Sequence, residues 1–203
     1  MSKTDDKTLT RDLPEFSQLI KEIKSTKKIL HSLNKKLSKK LNSHAFLYNL
    51  LEQKSTELEK TATFLFKRIG YINVKHTGLD KKREDIYINH NGRITVIDTN
   101  GINKDHPKDG KCHSILKFAA KRKKEIQDAE IHAIFLLNHD INEPIVAKRN
   151  KNIFVNNIED AKNMNLGLLT AIELVSGYKK LKKGLITFEQ FDKSLHEKGL
   201  IKF

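Results

Sequence analysis

The chain has 203 residues, 39 Lys and Arg against 25 Asp and Glu, a formal net charge of +14, 37% hydrophobic residues and no Trp. That length accommodates one medium domain with an extension or two small ones, and the hydrophobic share supports a real core, which excludes wholesale disorder. No stretch reaches the roughly 18 apolar residues of a membrane-spanning helix, MSKTDDKTLTRD has no signal-peptide character, and Cys112 alone excludes an internal disulfide or a multi-thiolate zinc site. The expectation is an intracellular, soluble, cytoplasmic protein with no membrane partner. Excess positive charge attracts polyanions, and nucleic acid is the commonest in a cell; anionic membrane surface and acidic protein are the alternatives.

Residues 1–11 are polar and aperiodic and read as a disordered tail. Residues 12–54 read as a basic helical or coiled-coil arm. Phe16, Ile23, Leu30, Leu37, Leu51 and Leu58 share one seven-residue register, with Leu19, Leu33 and Leu47 on its companion positions, and Thr26, Lys40 and His44 interrupt the seam. A homodimer through this helix would bury the seam, though a helical hairpin or an arm packed on its own domain gives nearly the same pattern. Lys21, Lys24, Lys27, Lys28, Lys35, Lys36, Lys39 and Lys40 face Glu22 as their single nearby acid. They fit a solvated outer face. They equally fit a phosphate-contacting surface, with Lys21, Lys24, Lys28, Lys35, Lys36 and Lys39 as the candidate nucleic-acid contacts, DNA foremost. Aromatic residues do not interleave there, so base stacking is not suggested. His31 and His44 lack partners at metal-ligand spacing.

Residues 55–203 read as one α/β domain. Thr56 and Glu59 have capping-box spacing for a helix that stops at Gly70. Tyr71–Val74 is a short strand, Asp80–Arg83 a charged turn, and Asp85–Asn89 and Arg93–Thr99 are strands joined by Asn91-Gly92, a strong hairpin turn. A loop with Gly101, Pro107 and Gly110 precedes a helix from about His113 to Gln127. Further strands are expected at Ile131–Leu137, Ile153–Val155 and Leu166–Leu169, and a short helix at Ile158–Met164. Thr170 caps a helix through Val175, and Thr187 with Gln190 opens a terminal helix ending near Gly199. The alternation implies a mixed sheet flanked by helices.

The hairpin carries the chemical inference. A two-residue turn pairs His90 with Arg93, and counting outward sets Asp85 opposite Asp98. Opposed carboxylates repel, and a divalent cation such as Mg²⁺ is their usual neutraliser. Asn100 shares the face of Asp98. A one-residue bulge would separate the pair, and Asp85 could instead pair with Arg83 or Arg93.

Glu59 on a helix, Gly70-Tyr71, Arg83-Glu84-Asp85-Ile86-Tyr87-Ile88 and Val96-Ile97-Asp98-Thr99-Asn100-Gly101 together resemble the PD-(D/E)xK restriction-endonuclease-like nucleases. The resemblance covers about Ser55 to Phe203, continuing through AIFLLNH and Leu168-Leu169-Thr170-Ala171. It implies a restriction-endonuclease-like mixed sheet, with Glu59 orienting or binding the metal through water, Asp85 as a direct ligand and Asp98 as the acid of the tripeptide, around Mg²⁺ or Mn²⁺. Asn100 stands where the family has lysine, and neutral Asn can orient water but cannot supply charge. Lys117 or Lys121 on the following helix, or a second metal ion, could replace it; Cys112 and His113 are weaker candidates. Three functions follow: a nucleic-acid-binding protein whose catalytic motif is degenerate, with weak or no cleavage; an active Mg²⁺-dependent endonuclease using Glu59, Asp85 and Asp98; or a helical adaptor subunit binding a protein partner. DNA repair, restriction and phage defence are the settings the resemblance suggests.

Overall fold

The computed structural model describes residues 14–80, 82–103, 107, 112–126 and 129–203. The expected disordered tail at 1–11 lies outside them, as does Gly110. The chain divides into two compact units, Met1–Ala45 and Phe46–Phe203. No helix among the described residues is long and apolar enough to cross a membrane.

The first unit consists of most of one long helix, α1 (Pro14–Glu52). Phe16, Leu19, Ile23, Leu30, Leu33 and Leu37 are each about half exposed on the single chain. At 3.6 residues per turn, Lys21, Lys24, Lys28, Lys35 and Lys39 form a stripe on the side opposite Leu19, Ile23, Leu30 and Leu37. The lysines are all exposed. The heptad register does not continue as one helix to Leu58, because α1 stops at Glu52 and Leu58 belongs to the next helix.

The second unit is a three-layer α/β domain around a six-stranded sheet in the spatial order β1-β2-β3-β4-β5-β6. The strands are β1 (Val74–His76), β2 (Ile86–His90), β3 (Arg93–Gly101), β4 (Glu130–Asn138), β5 (Leu166–Thr170) and β6 (Gly199–Leu200). The first three are antiparallel neighbours, and β3 to β6 run parallel. The helices are α2 (Ser55–Ile69), α3 (Ile115–Glu125), α4 (Ile158–Asn163), α5 (Ala171–Lys182) and α6 (Phe188–Leu195). On one sheet face Ile86, Ile88, Ile97, Ile134 and Leu136 pack under Leu58, Leu65 and Phe66 of α2, Leu174 of α5 and Phe191 of α6; Leu47 and Leu50, at the end of α1, join this core. On the other face Val96, Phe135, Leu137 and Leu168 pack against Ile115 of α3, Ala161 of α4, and Ile153 and Phe154. Strands covered on both faces explain the unbroken apolar run of β4.

Asn91 (φ 52) and Gly92 (φ 81) both adopt the left-handed conformations their two-residue turn requires, and His90 pairs with Arg93 as the count demands. The Thr187–Gln190 capping box is complete, and the Thr170 hydroxyl caps α5 by accepting from Glu173 N–H. Four expectations need correction. The Thr56–Glu59 capping box does not form: α2 starts at Ser55, and Glu59 turns to another partner. The first strand is Val74–His76, because Ile72 and Asn73 lie in a bend with Asn73 at φ 52. Ile153–Val155 is a turn whose Ile153 and Phe154 are buried, so its apolar residues signal core packing rather than a strand. The terminal helix stops at Leu195, which leaves room for the unexpected strand β6 beside β5.

Candidate active site

The last ladder pair of the hairpin is Ile86 with Ile97, and Asp85 N–H donates to the Ile97 carbonyl at 3.1 Å. Asp85 therefore sits one residue beyond β2 with its N–H on Ile97, the partner of Ile86. Two residues of one strand thus face one of the other, as in a β-bulge, and the expected regular pairing of Asp85 with Asp98 is not formed. Alternation from Ile97, buried in the first core, turns Asp98 to the other face. Asp85, Asp98, Asn100 and Glu59 line one open cavity of about 470 Å³, together with Ser55, Thr99, Gly101, Ser114 and Phe135. It lies at the carboxyl end of β3, a usual place for ligands in open α/β sheets.

Each carboxylate is held by a different neighbour. Asp85 Oδ2 accepts from the Thr99 backbone N–H at 2.7 Å and from its hydroxyl at 3.0 Å, capping β3 where β2 no longer reaches. Asp98 Oδ2 accepts from the Ser114 hydroxyl at 2.8 Å, just before α3. Glu59, buried on α2, has Oε2 2.7 Å from His76 Nε2 on β1. Gly78 lets these groups converge: a Cβ there would lie 2.2 Å from Glu59 Oε2 and 3.3 Å from Asp85 Oδ1. Glu84, beside Asp85, points elsewhere; it is buried and accepts from Arg122 at 2.5 and 3.1 Å, while the guanidinium lies 4.7 Å from the Tyr87 ring centre.

Among the described residues, no lysine or arginine lines the cavity. Lys117 is exposed on α3 and is not a lining residue, and Lys121 reaches the Lys82 carbonyl at 3.4 Å. Cys112 is buried in the second core and His113 is half-buried; neither lines the cavity. No group of three or more His, Cys, Asp or Glu side chains among the described residues is assembled to hold a metal ion unaided, so water would have to complete a cation's shell. The donors themselves are hard carboxylate oxygens, the chemistry that suits Mg²⁺ or Mn²⁺.

Sequence reasoning missed His76, Gly78, Ser114 and the anchoring role of Thr99. His76 and Gly78 precede Asp85 in the chain but meet Glu59 only through the β1–β2 pairing, which hydrophobic pattern does not reveal. Ser55 also escaped attention; it lines the cavity at φ 49, a left-handed conformation uncommon for a residue with a Cβ.

No protein-family profile matches the chain, and no curated protein matches it. Among solved structures it is similar to the restriction endonuclease FokI, at 19% identity and a TM-score of 0.52, over 77% of this chain and 30% of that one. The fold is restriction-endonuclease-like. The chain thus spans about a third of the FokI chain it matches. It is also similar to the small subunit R.BspD6I2 of the heterodimeric restriction endonuclease R.BspD6I, at 17% identity and a TM-score of 0.42, over 74% of this chain and 94% of that one. The cavity brings together Glu59, Asp85, Asp98 and Asn100, and Lys117 lies outside its lining.

Proposed function

We propose that the chain is a nucleic-acid-binding protein with a restriction-endonuclease-like domain whose catalytic motif is degenerate, so that cleavage is weak or absent. The observation that carries this reading is the convergence of Glu59, Asp85, Asp98 and Asn100 on one cavity whose described lining contains three carboxylates and no cationic side chain. Asp85 and Asp98, with Glu59 through water, would hold Mg²⁺ or Mn²⁺. When bound, the cation would polarise a phosphoryl oxygen and favour formation of a nucleophile from water. Thr99, Ser114 and His76 fix the carboxylates, so little reorganisation is needed on binding. Asn100 offers an amide that can orient water but no charge to offset that developing on a phosphate, which removes several kcal/mol of transition-state stabilisation.

The net charge of +14 supports a polyanionic ligand. On α1 the lysine stripe and the apolar seam lie on opposite sides of the helix, so one arm could pair with a second copy and contact DNA phosphates at the same time. The exposed seam also favours a second reading, an adaptor whose arm binds a protein partner.

Incubating plasmid, linear DNA and RNA with Mg²⁺ or Mn²⁺, beside Asp98→Ala, tests the site. Binding without cleavage is expected; robust cleavage abolished by Asp98→Ala would replace the degenerate reading with the active one. Salt titration of DNA affinity tests the ligand: affinity indifferent to salt would leave the adaptor.

A further inference from the structure

Asn100 is followed by Gly101, the last residue of β3 and part of the cavity wall. A Cβ on Gly101 would lie 3.0 Å from Lys54 Cα, 3.0 Å from Lys54 Cβ and 2.9 Å from Lys54 Cγ. Glycine is thus needed here because the backbone and stem of Lys54 lie directly on it. The next residue, Ser55, itself lines the cavity at φ 49. Lys54 is exposed, precedes α2, and makes no side-chain cap to that helix. The link that carries it is pinned from below. Asn138, fully buried at the end of β4, donates to the Gln53 carbonyl at 3.0 Å and accepts from Arg149 at 3.2 Å. The buried Arg149 also donates to the Leu51 carbonyl at 2.9 Å. Burying an arginine and an asparagine to satisfy the Leu51 carbonyl at the end of α1 and the Gln53 carbonyl of the two-residue link is costly unless the position of that link matters.

From this arrangement we infer that Lys54 contacts the phosphate of a nucleic acid bound at the cavity, bringing from the α1–α2 link the positive charge that position 100 lacks. The inference rests on the reading of the cavity as a phosphodiester site. A single ammonium reaching a carboxylate-lined cavity from this link would draw in an anion only alongside a cation bound to Asp85 and Asp98. The fixed link sets where the stem starts, and the flexible end lets the ammonium follow the phosphate.

The test uses the full chain and a short duplex DNA, with anisotropy measured over a salt series in Ca²⁺, a hard cation that takes carboxylate oxygens. Lys54→Gln is expected to lower affinity about three- to tenfold at low salt and to reduce the salt slope by about one phosphate contact, while Lys54→Arg keeps both near the parent values. Asn100→Lys in the Lys54→Gln background is expected to restore most of the lost affinity, since the new ammonium faces the same cavity. A lysine acting only through bulk charge would not be rescued selectively from position 100. An unchanged slope in Lys54→Gln overturns the inference and leaves the phosphodiester reading standing. Parent protein with no salt-dependent DNA affinity overturns both.

Discussion

Replacing Gly78 with alanine separates the candidate site from the fold that carries it. Gly78 does not occupy the left-handed region, so alanine strains no backbone there. Its Cβ would nevertheless stand 2.2 Å from Glu59 Oε2, 3.0 Å from Glu59 Cδ and 3.3 Å from Asp85 Oδ1, whereas ordinary contacts begin at 3.4 Å. The Glu59 carboxylate must retreat by about 1 Å and leave His76. A hydrogen bond involving a charged group is worth about 1.5–3 kcal/mol, and these side chains are only 11% and 17% exposed. Two effects reduce the loss: the displaced carboxylate can turn into the open cavity, and alanine restricts the unfolded chain by about 0.4–1 kcal/mol. Net destabilisation should therefore stay near 1 kcal/mol, visible as a small shift of the urea midpoint with an unchanged slope. Mn²⁺ affinity should fall about tenfold or more, the usual cost of disturbing groups that orient metal ligands. Titration of Mn²⁺ by electron paramagnetic resonance reads this directly, with Asp98→Ala as the reference for loss of a direct ligand. If Gly78→Ala binds Mn²⁺ like the parent while Asp98→Ala does not, Glu59 takes no part in the site.

Other expectations test the frame and the partners. Arg122→Met strands the buried Glu84 carboxylate and should cost about 3–5 kcal/mol in urea unfolding, whereas adding Glu84→Gln should recover most of it; equal losses in the single and double variants would refute the coupling. Burial, helped by His196 and Arg93, pushes His132 down to about 3, so its neutral form favours the fold. That contribution is complete above the ordinary value near 6.5 and is lost as pH falls toward 3. Between pH 6.5 and 5 the parent should lose about 1–2 kcal/mol more than His132→Leu, and parallel curves would refute it. Leu30→Glu with Leu37→Glu should convert a dimer into a monomer in light scattering; a parent already monomeric at high concentration removes the seam from consideration. Asn100→Lys should raise Mg²⁺-dependent plasmid nicking at least tenfold; no gain would mean that the carboxylates are not placed for hydrolysis.

The site was legible where its geometry is local. Asn91-Gly92 fixes the turn, and the turn fixes the register from His90–Arg93 to Ile86–Ile97, which brings Asp85 and Asp98 to the same end of the hairpin without any tertiary information. Long parallel strands were equally plain, because burial on both faces makes an unbroken apolar run such as β4. Legibility failed where a contact spans distant segments. The cap predicted from Thr56 and Glu59 competes with His76, a residue whose pairing to Glu59 depends on β1 joining the sheet. Ile153 and Phe154 showed that a short apolar triplet signals burial, not strand geometry. The two-residue β6 has too little sequence to show a period of two at all.

The sign of the charge at the cavity deserves weight beside the motif. A chain of net charge +14 has gathered three acids and, among the described lining residues, no cation at the end of β3. Random placement on so basic a surface would favour the reverse. Each acid also spends one oxygen on a neutral donor or an imidazole rather than on a lysine or arginine in the contacts of Asp85, Asp98 and Glu59 described above. Glu84 next door shows that this fold can neutralise a buried acid with arginine when the role is structural. Asp85, held by the Thr99 amide and hydroxyl, suits the proposed cation better than it serves the core. On the proposed reading, loss of the motif lysine weakens catalysis without dismantling the cation site, and metal binding and cleavage become separable properties of this domain.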